Sequence, residues 1–254
     1  MRLSDKNKLN EYQEFLCDGE IRLTSRGINK LLDDTISEAV ENELGLTYRG
    51  NGTWATDYCD HKRKVLHLFR INPSYATFRW GWCFDFIPIK KGKKLVYLRT
   101  DKQLDSHIFE VSDDFRNNTE NRKKTTICAR ETATGEMESA LKTMQKKYMD
   151  TFLFLLPSIK AYFDSTNSYQ EIIKNIDDKI TAPNVYYCAV NPMLKIVKVY
   201  LAAFLGEKEV ALGALEKLSF PDEGIREKHL ENLRMLSCPE RVIPYPPDLD
   251  MELP

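Results

Sequence analysis

The side chains best suited to chemistry gather around one short stretch, Asp57-Tyr58-Cys59-Asp60-His61, with His67, Asp85 and His107 further along the chain. Carboxylates beside imidazoles can hold a divalent metal or exchange protons as general acid and base. The spacings that make such sites recognisable, H-x-x-x-H and H-E-x-x-H, do not occur, and no paired-carboxylate motif does. Asp57 and His61 also fall at a strand end or turn, where polar residues are expected without any function. A metal-dependent nuclease would follow one acidic residue with acidic-x-Lys on the next strand. Neither Asp85-Phe86-Ile87-Pro88-Ile89-Lys90 nor Lys94–Thr100 supplies it. Nucleophilic catalysis finds no G-x-S-x-G, and no cysteine has a neighbouring motif with His and Asn. Gly50-Asn51-Gly52 lacks the Gly-Lys-Ser/Thr of a phosphate cradle and reads as a hairpin turn. The chain therefore carries no recognisable catalytic motif, and no catalytic residue, metal or cofactor is expected. An enzyme assembled from the distant residues Asp57, His61, Asp85 and His107 stays open.

Two further features bear on binding. From His61 to Lys102 there are eleven Lys/Arg against Asp85 and Asp101, a net +9 in a chain of net charge −1, so the remainder carries −10. Such asymmetry concerns partners rather than fold. Lys62, Arg63, Lys64, Lys90, Lys91, Lys93 and Lys94 fall at turns beside a predicted sheet and form a candidate anion-binding rim, or else ordinary solvated turns. Within the same segment Phe78, Trp80, Trp82, Phe84 and Phe86 alternate, which puts five rings on one face of a strand. Rings with basic neighbours can stack bases of single-stranded nucleic acid. The expected reading, however, is a core beneath the preceding helix, each burial contributing roughly 1.5–3 kcal/mol.

The elements that must position these residues follow from periodicity. A polar helix is expected over Ser4–Cys17. A clearer one carries Ile28, Leu31, Leu32, Thr35, Ile36, Ala39, Val40 and Leu44 at helical spacing, with Thr24 or Ser25 to cap it and Gly45 to stop it. Period two then predicts strands at Leu46–Arg49, Thr53–Tyr58, Lys64–Asn72, Phe78–Phe86 and Lys94–Thr100, the last joined by the Lys90-Lys91-Gly92-Lys93 turn. His107–Val111 is a weaker strand, and Asn117–Lys124 reads as a flexible polar loop. Helices are expected at Glu136–Leu156, ended by Pro157, and at Tyr169–Ile180. Three more are expected at Met193–Leu205 after Asn191-Pro192, at Glu207–Leu218 and at Asp222–Leu236. Tyr148, Met149, Phe152, Phe154, Leu155, Tyr162 and Phe163 on these helices either pack between helices or line an exposed groove.

The fold class is therefore α+β, a helix on an antiparallel meander of about five strands followed by an α-helical half. The domains are expected at residues 20–115 and 135–237, with an extended or disordered tail at 239–254. The polar start Met1-Arg2-Leu3-Ser4-Asp5-Lys6 shows no secretory signal, and the longest apolar runs, Phe152–Leu156 and Val199–Leu205, are far below the ~20 residues of a membrane span. The six cysteines, Cys17, Cys59, Cys83, Cys128, Cys188 and Cys238, are scattered without C-x-x-C pairs, as expected of reduced thiols in a cytoplasmic protein.

The helix Ile28–Leu44, then Gly45-Leu46-Thr47-Tyr48-Arg49, a strand with Trp54 and an aromatic strand together resemble an uncharacterised bacterial α+β family, catalogued only as a domain of unknown function. Phe152–Phe163 with Leu156-Pro157, and Ala202-Ala203-Phe204-Leu205-Gly206-Glu207-Lys208-Glu209, extend the likeness over roughly residues 27 to 218. The resemblance implies no activity and no catalytic residue. With the absence of catalytic signatures, it implies a non-enzymatic interaction protein of the bacterial cytoplasm, an immunity-type partner or defence accessory. Its partner would be another protein, not a membrane. Nucleic-acid binding through residues 61–102 is the first alternative, and the enzyme of distant Asp and His residues the second.

Overall fold

A computed structural model describes residues 12, 14–17, 19–101, 104–132, 137–181 and 192–236. The fold is α+β, as the periodicity predicts. Two compact units are built from interleaved stretches. The first draws on Met1–Asp57, Arg63–Gly81 and Phe109–Asp164, the second on Tyr58–Lys62, Trp82–Ile108 and Ser165–Pro254. The expected tail at 239–254 lies outside the described residues.

In the first unit, helix α1 spans Ser25–Leu44 with Thr24 as N-cap, its hydroxyl accepting from the Gly27 amide, and Gly45 as a left-handed C-cap at φ 67°. Ile28, Leu31, Leu32, Ile36 and Val40 form its buried stripe. Strands β1 (Glu14–Cys17) and β2 (Glu20–Leu23) pair in front of it, so Glu14–Cys17 is not helical as the apolar spacing suggested. Strands β3 (Thr47–Gly50), β4 (Thr53–Ala55), β5 (Lys62–Asn72) and β6 (Tyr75–Phe84) make the antiparallel meander. The tight turn between β3 and β4 requires Gly52, at φ 69°, because a Cβ there would stand 2.9 Å from Cβ of Leu68.

The sheet does not continue into Lys94–Thr100. Strands β7 (Pro88–Lys91) and β8 (Lys94–Tyr97) form a separate hairpin, and β9 (Ile108–Val111) pairs with β6 instead. Pro88 lacks an amide hydrogen and cannot extend the β6 ladder, so the chain breaks away there. After the short helix α2 (Asp113–Arg116), the expected polar loop is a 3₁₀ helix over Glu120–Thr125, started by the Thr119 side chain. β10 (Ile127–Cys128) adds to the edge of β6, and β11 (Arg130–Thr132) pairs with β2.

Helix α3 runs Met137–Ser165 straight through Pro157, which was expected to end it. A helix-interior proline costs about 3 kcal/mol. Beyond it Ile159, Tyr162 and Phe163 are buried, and at roughly 1.5–3 kcal/mol each they outweigh that cost. Residues Ala140, Met144, Tyr148, Phe152, Leu155 and Ile159 make the buried stripe of α3. Phe152 meets Phe78 of β6 edge-on at 6.4 Å, and Phe78 also meets Trp54 at 6.1 Å. All five alternating rings, Phe78 to Phe86, are buried, so they are core.

In the second unit, Trp82 donates its indole hydrogen to Thr166, Phe84 packs on Tyr169, and Phe86 stacks on Phe204 at 4.2 Å. Tyr169 begins helix α4 (Tyr169–Thr181) and Phe204 ends α5 (Leu194–Phe204). Asn191, the expected cap of that helix, lies outside the described residues, and Met193 stands at the N-cap with no side-chain bond. Helices α6 (Lys208–Glu216) and α7 (Glu223–Met235) follow, the latter capped by Asp222. Among the described residues no helix is long and apolar enough to cross a membrane.

His229 of α7 is buried with the Tyr200 hydroxyl 3.0 Å from its Nδ1. Burial disfavours its charged form and lowers its pKa from 6.5 to about 4. The unfolded chain then binds more protons between those values, so stability is fully present above pH 6.5 and lost as pH falls toward 4. Urea unfolding should show this group removing about 3 kcal/mol over that window. His229→Gln should flatten the dependence, and an unchanged slope in that variant would contradict the assignment.

Candidate functional site

The residues of the predicted basic rim are divided between the two units. Arg63 is 4 % exposed and belongs to the core of the first unit. Lys64, in the same unit, lies over the Phe163 ring at 5.1 Å. Lys62 belongs to the second unit, where its ammonium sits over Trp82 and Tyr169 and donates to the Asn167 carbonyl. Lys90, Lys91, Lys93 and Lys94 are exposed on the β7–β8 hairpin, with Lys90 3.9 Å from Asp222. Hairpin lysines make a charged tip, but no described cavity is lined by them.

Of the four distant residues, two meet. His61 Nδ1 lies 3.1 and 3.0 Å from the two oxygens of Asp85, and the Asp85 amide donates to the His61 carbonyl. Asp57 pairs instead with Arg49 in the first unit, at 2.6 Å. His107 is buried, accepting at Nδ1 from the Phe84 amide. His67 is buried against Thr53 Oγ1 at 2.7 Å, held neutral by desolvation and by Arg79 and Arg63. Among the described residues no group of three or more His, Cys, Asp or Glu could hold a metal ion.

The His61–Asp85 pair closes a strained turn. Asp60 and His61 have φ of 49° and 58°, and Cys59 and Lys62 exchange both backbone hydrogen bonds around them. Two consecutive left-handed residues are what a two-residue hairpin demands, usually met by Asn-Gly. The His61 ring lies edge-on to Phe86 and Phe204, and burial raises the Asp85 pKa while His61 and Arg99 oppose the shift. The imidazole is thus walled by rings and tied to a carboxylate, the surroundings of a structural clasp.

The cavity with binding character lies in the first unit. It is an open groove of about 1000 Å³, lined by the end of β5 (Ile71, Asn72), the start of β6 (Tyr75), the 3₁₀ helix (Arg122, Lys123, Lys124), β10 (Cys128) and α3 (Lys147, Asp150, Phe154). Its walls are fixed from beneath. Thr77 of β6 donates to the Thr125 carbonyl at 2.7 Å, and the Tyr148 hydroxyl of α3 to the Cys128 carbonyl at 2.9 Å. Tyr75 is 47 % exposed and Phe154 37 %, unusual for rings of their size.

Charge is uneven within it. Lys147 is paired with Glu131, and Asp150 with Lys146. Among the described residues no carboxylate lies within ion-pair distance of Arg122, Lys123 or Lys124. Arg122 donates to Asn118 and lies over Phe115, and Lys124 lies over the Phe154 ring at 5.5 Å. The groove therefore offers three uncompensated cations beside exposed apolar surface.

Sequence reasoning missed Arg122, Lys123, Lys124 and Tyr75 as site residues because the polar run looked like a loop. Phe154 is among the residues that the sequence offers as lining a groove. It falls off the buried stripe Tyr148–Phe152–Leu155–Ile159, so helical period alone turns it outward. No family model, no curated protein and no solved structure matches this chain.

Replacing His61 by Asn, which tolerates the left-handed turn, should leave Asp85 without its imidazole. Unfolding stability should fall by about 1–3 kcal/mol. The Asp85 carboxyl, followed by NMR titration, should move further up. A pKa that stays put would show that the imidazole does not restrain the carboxylate.

Proposed function

We propose that the chain is a non-enzymatic interaction protein whose groove holds an anionic segment of another macromolecule. One observation carries this reading. Arg122, Lys123 and Lys124, with no carboxylate partner among the described residues, share a groove with exposed Tyr75, Phe154 and Ile71. Positive charge draws and orients a polyanion, while apolar surface supplies contact area that does not weaken with salt. A protein segment rich in acidic and apolar groups, or a nucleic acid, both meet these terms. The proposed setting is the bacterial cytoplasm, and the proposed role that of an immunity-type partner or defence accessory. Both rest on the family resemblance over residues 27 to 218.

Binding through the strand segment 61–102 has less support, since its cations are divided between the two units and Arg63 is buried. The enzyme alternative has less still, since only His61 and Asp85 of its four residues meet.

Affinity for heparin and for a random Glu–Tyr copolymer, measured at low and high salt, tests the reading. The parent should bind at least one of them, and binding should weaken as salt rises. Lys123→Glu with Lys124→Glu should lose at least about tenfold, because like charges facing each other cost several kcal/mol. Equal affinity of parent and double variant would move the site elsewhere.

A further inference from the structure

We infer that the occupant of the groove is a single-stranded nucleic acid, one base stacked on Tyr75 or Phe154 and its phosphates on Arg122, Lys123 and Lys124. This rests on the docking reading above and narrows it to one class of partner. Two observations on the groove favour bases over an acidic peptide, and a third fits them. Two exposed rings line it from different elements, Tyr75 from β6 and Phe154 from α3, and flat π-faces are what bases of any sequence stack on. The cations adjoin the rings, Lys124 lying over Phe154 at 5.5 Å, so phosphate contact and ring contact occur within one nucleotide's reach.

The third is Asn72. Its Oδ1 accepts from the amides of Ser74 and Tyr75 at 2.8 and 2.9 Å, which fixes the side chain and leaves both hydrogens of Nδ2 for a ligand acceptor in the groove. Base edges carry carbonyl and ring-nitrogen acceptors for such a donor. The volume, about 1000 Å³, lies at the top of the roughly 300–1,000 Å³ range for small-molecule sites, room for a short stretch of strand. RNA and DNA share this chemistry, differing at the 2′-hydroxyl.

Fluorescence anisotropy with labelled oligo-rU and oligo-dT on the full chain tests the inference. An abasic deoxyribose-phosphate strand of equal length and the Glu–Tyr copolymer serve as comparators. Tight binding of either oligonucleotide, with at least about tenfold weaker binding of the abasic strand, is expected. Tyr75→Ala and Phe154→Ala should each lose about five- to a hundredfold, as loss of a stacking ring does, and Tyr75→Phe should retain binding. Lys123→Ala with Lys124→Ala should flatten the salt dependence by about 1.4 in log–log slope, two phosphates at about 0.7 each. Bound oligonucleotide should also slow maleimide labelling of Cys128, in the groove, without slowing Cys59 of the second unit. A preference for oligo-rU assigns the strand to RNA, a preference for oligo-dT to DNA, and equal affinity to single strands of either sugar.

Equal binding of the abasic strand would overturn stacking and with it the inference. Binding of the copolymer but of neither oligonucleotide would overturn the inference and leave the docking reading standing. Failure of heparin, copolymer and oligonucleotides alike would end both. Both ring positions are already solvent-exposed, so circular dichroism should show the alanine variants folded as the parent is.

Discussion

Strand β6 is the constraint on which the molecule depends. From Ala76 to Phe84 nearly every residue is buried, on the even face and the odd face alike. A strand buried on both sides must be covered on both sides, and a single helix ahead of it cannot do so. In the first unit Phe152 meets Phe78; in the second, Thr166, Tyr169 and Phe204 meet Trp82, Phe84 and Phe86. Burial of those rings explains why the helices that meet them carry aromatic residues. It also explains why α3 tolerates Pro157, since the buried residues beyond the proline are worth more than the lost hydrogen bond.

The groove begins where that burial ends. Tyr75 is the first residue of β6 and the first to leave the core, directly opposite Cys128 of β10. The β5–β6 turn, the 3₁₀ helix and α3 then enclose the exposed end of the strand. In a 3₁₀ helix three residues complete a turn, so Arg122, Lys123 and Lys124 radiate around the axis and cannot all satisfy one acidic neighbour. Anchored at Thr125 by Thr77, they are held at the rim without being neutralised. Among the described residues no carboxylate pairs with them, although Asp150, paired with Lys146, lines the same groove.

How much of this was legible depends on the range of the interactions involved. Helix α1, its caps at Thr24 or Ser25 and at Gly45, the meander through Phe84 and the shared face of the rings follow from spacing, because period and cap chemistry are local. Pro157 misled because its cost is local while its compensation is tertiary. Lys94–Thr100 misled because strand propensity does not say which strand is the neighbour, and β9 took the place beside β6. Glu14–Cys17 misled because four apolar-polar residues fit either period. Charge was the least legible. The +9 of residues 61–102 is a property of the chain, and alternation along β5, together with the hairpin at Gly92, sends its members to the core, to ring faces and to a separate tip. The cations that do share a cavity are three in a row in a segment whose conformation depends on the Thr77 hydroxyl.

The His61–Asp85 contact brings an imidazole and a carboxylate together beside a tight turn. A general base needs its partner carboxylate, which Asp85 supplies, and also room beside the second ring nitrogen for a reacting group. Phe86 and Phe204 stand edge-on to the imidazole, and no cavity among those described reaches it. Backbone strain at Asp60 and His61 is the feature that most resembles an active site, and strain of this kind costs of order 1–3 kcal/mol per residue. Here the turn geometry itself accounts for it. A two-residue hairpin needs two left-handed residues, and the charge-assisted contact to Asp85, with ring packing around it, offsets what Asp and His lose relative to Asn-Gly. The same residues that would suggest a proton-transfer site are sufficient to hold β5 to its turn, and rings and cations stand exposed together in the groove of the first unit.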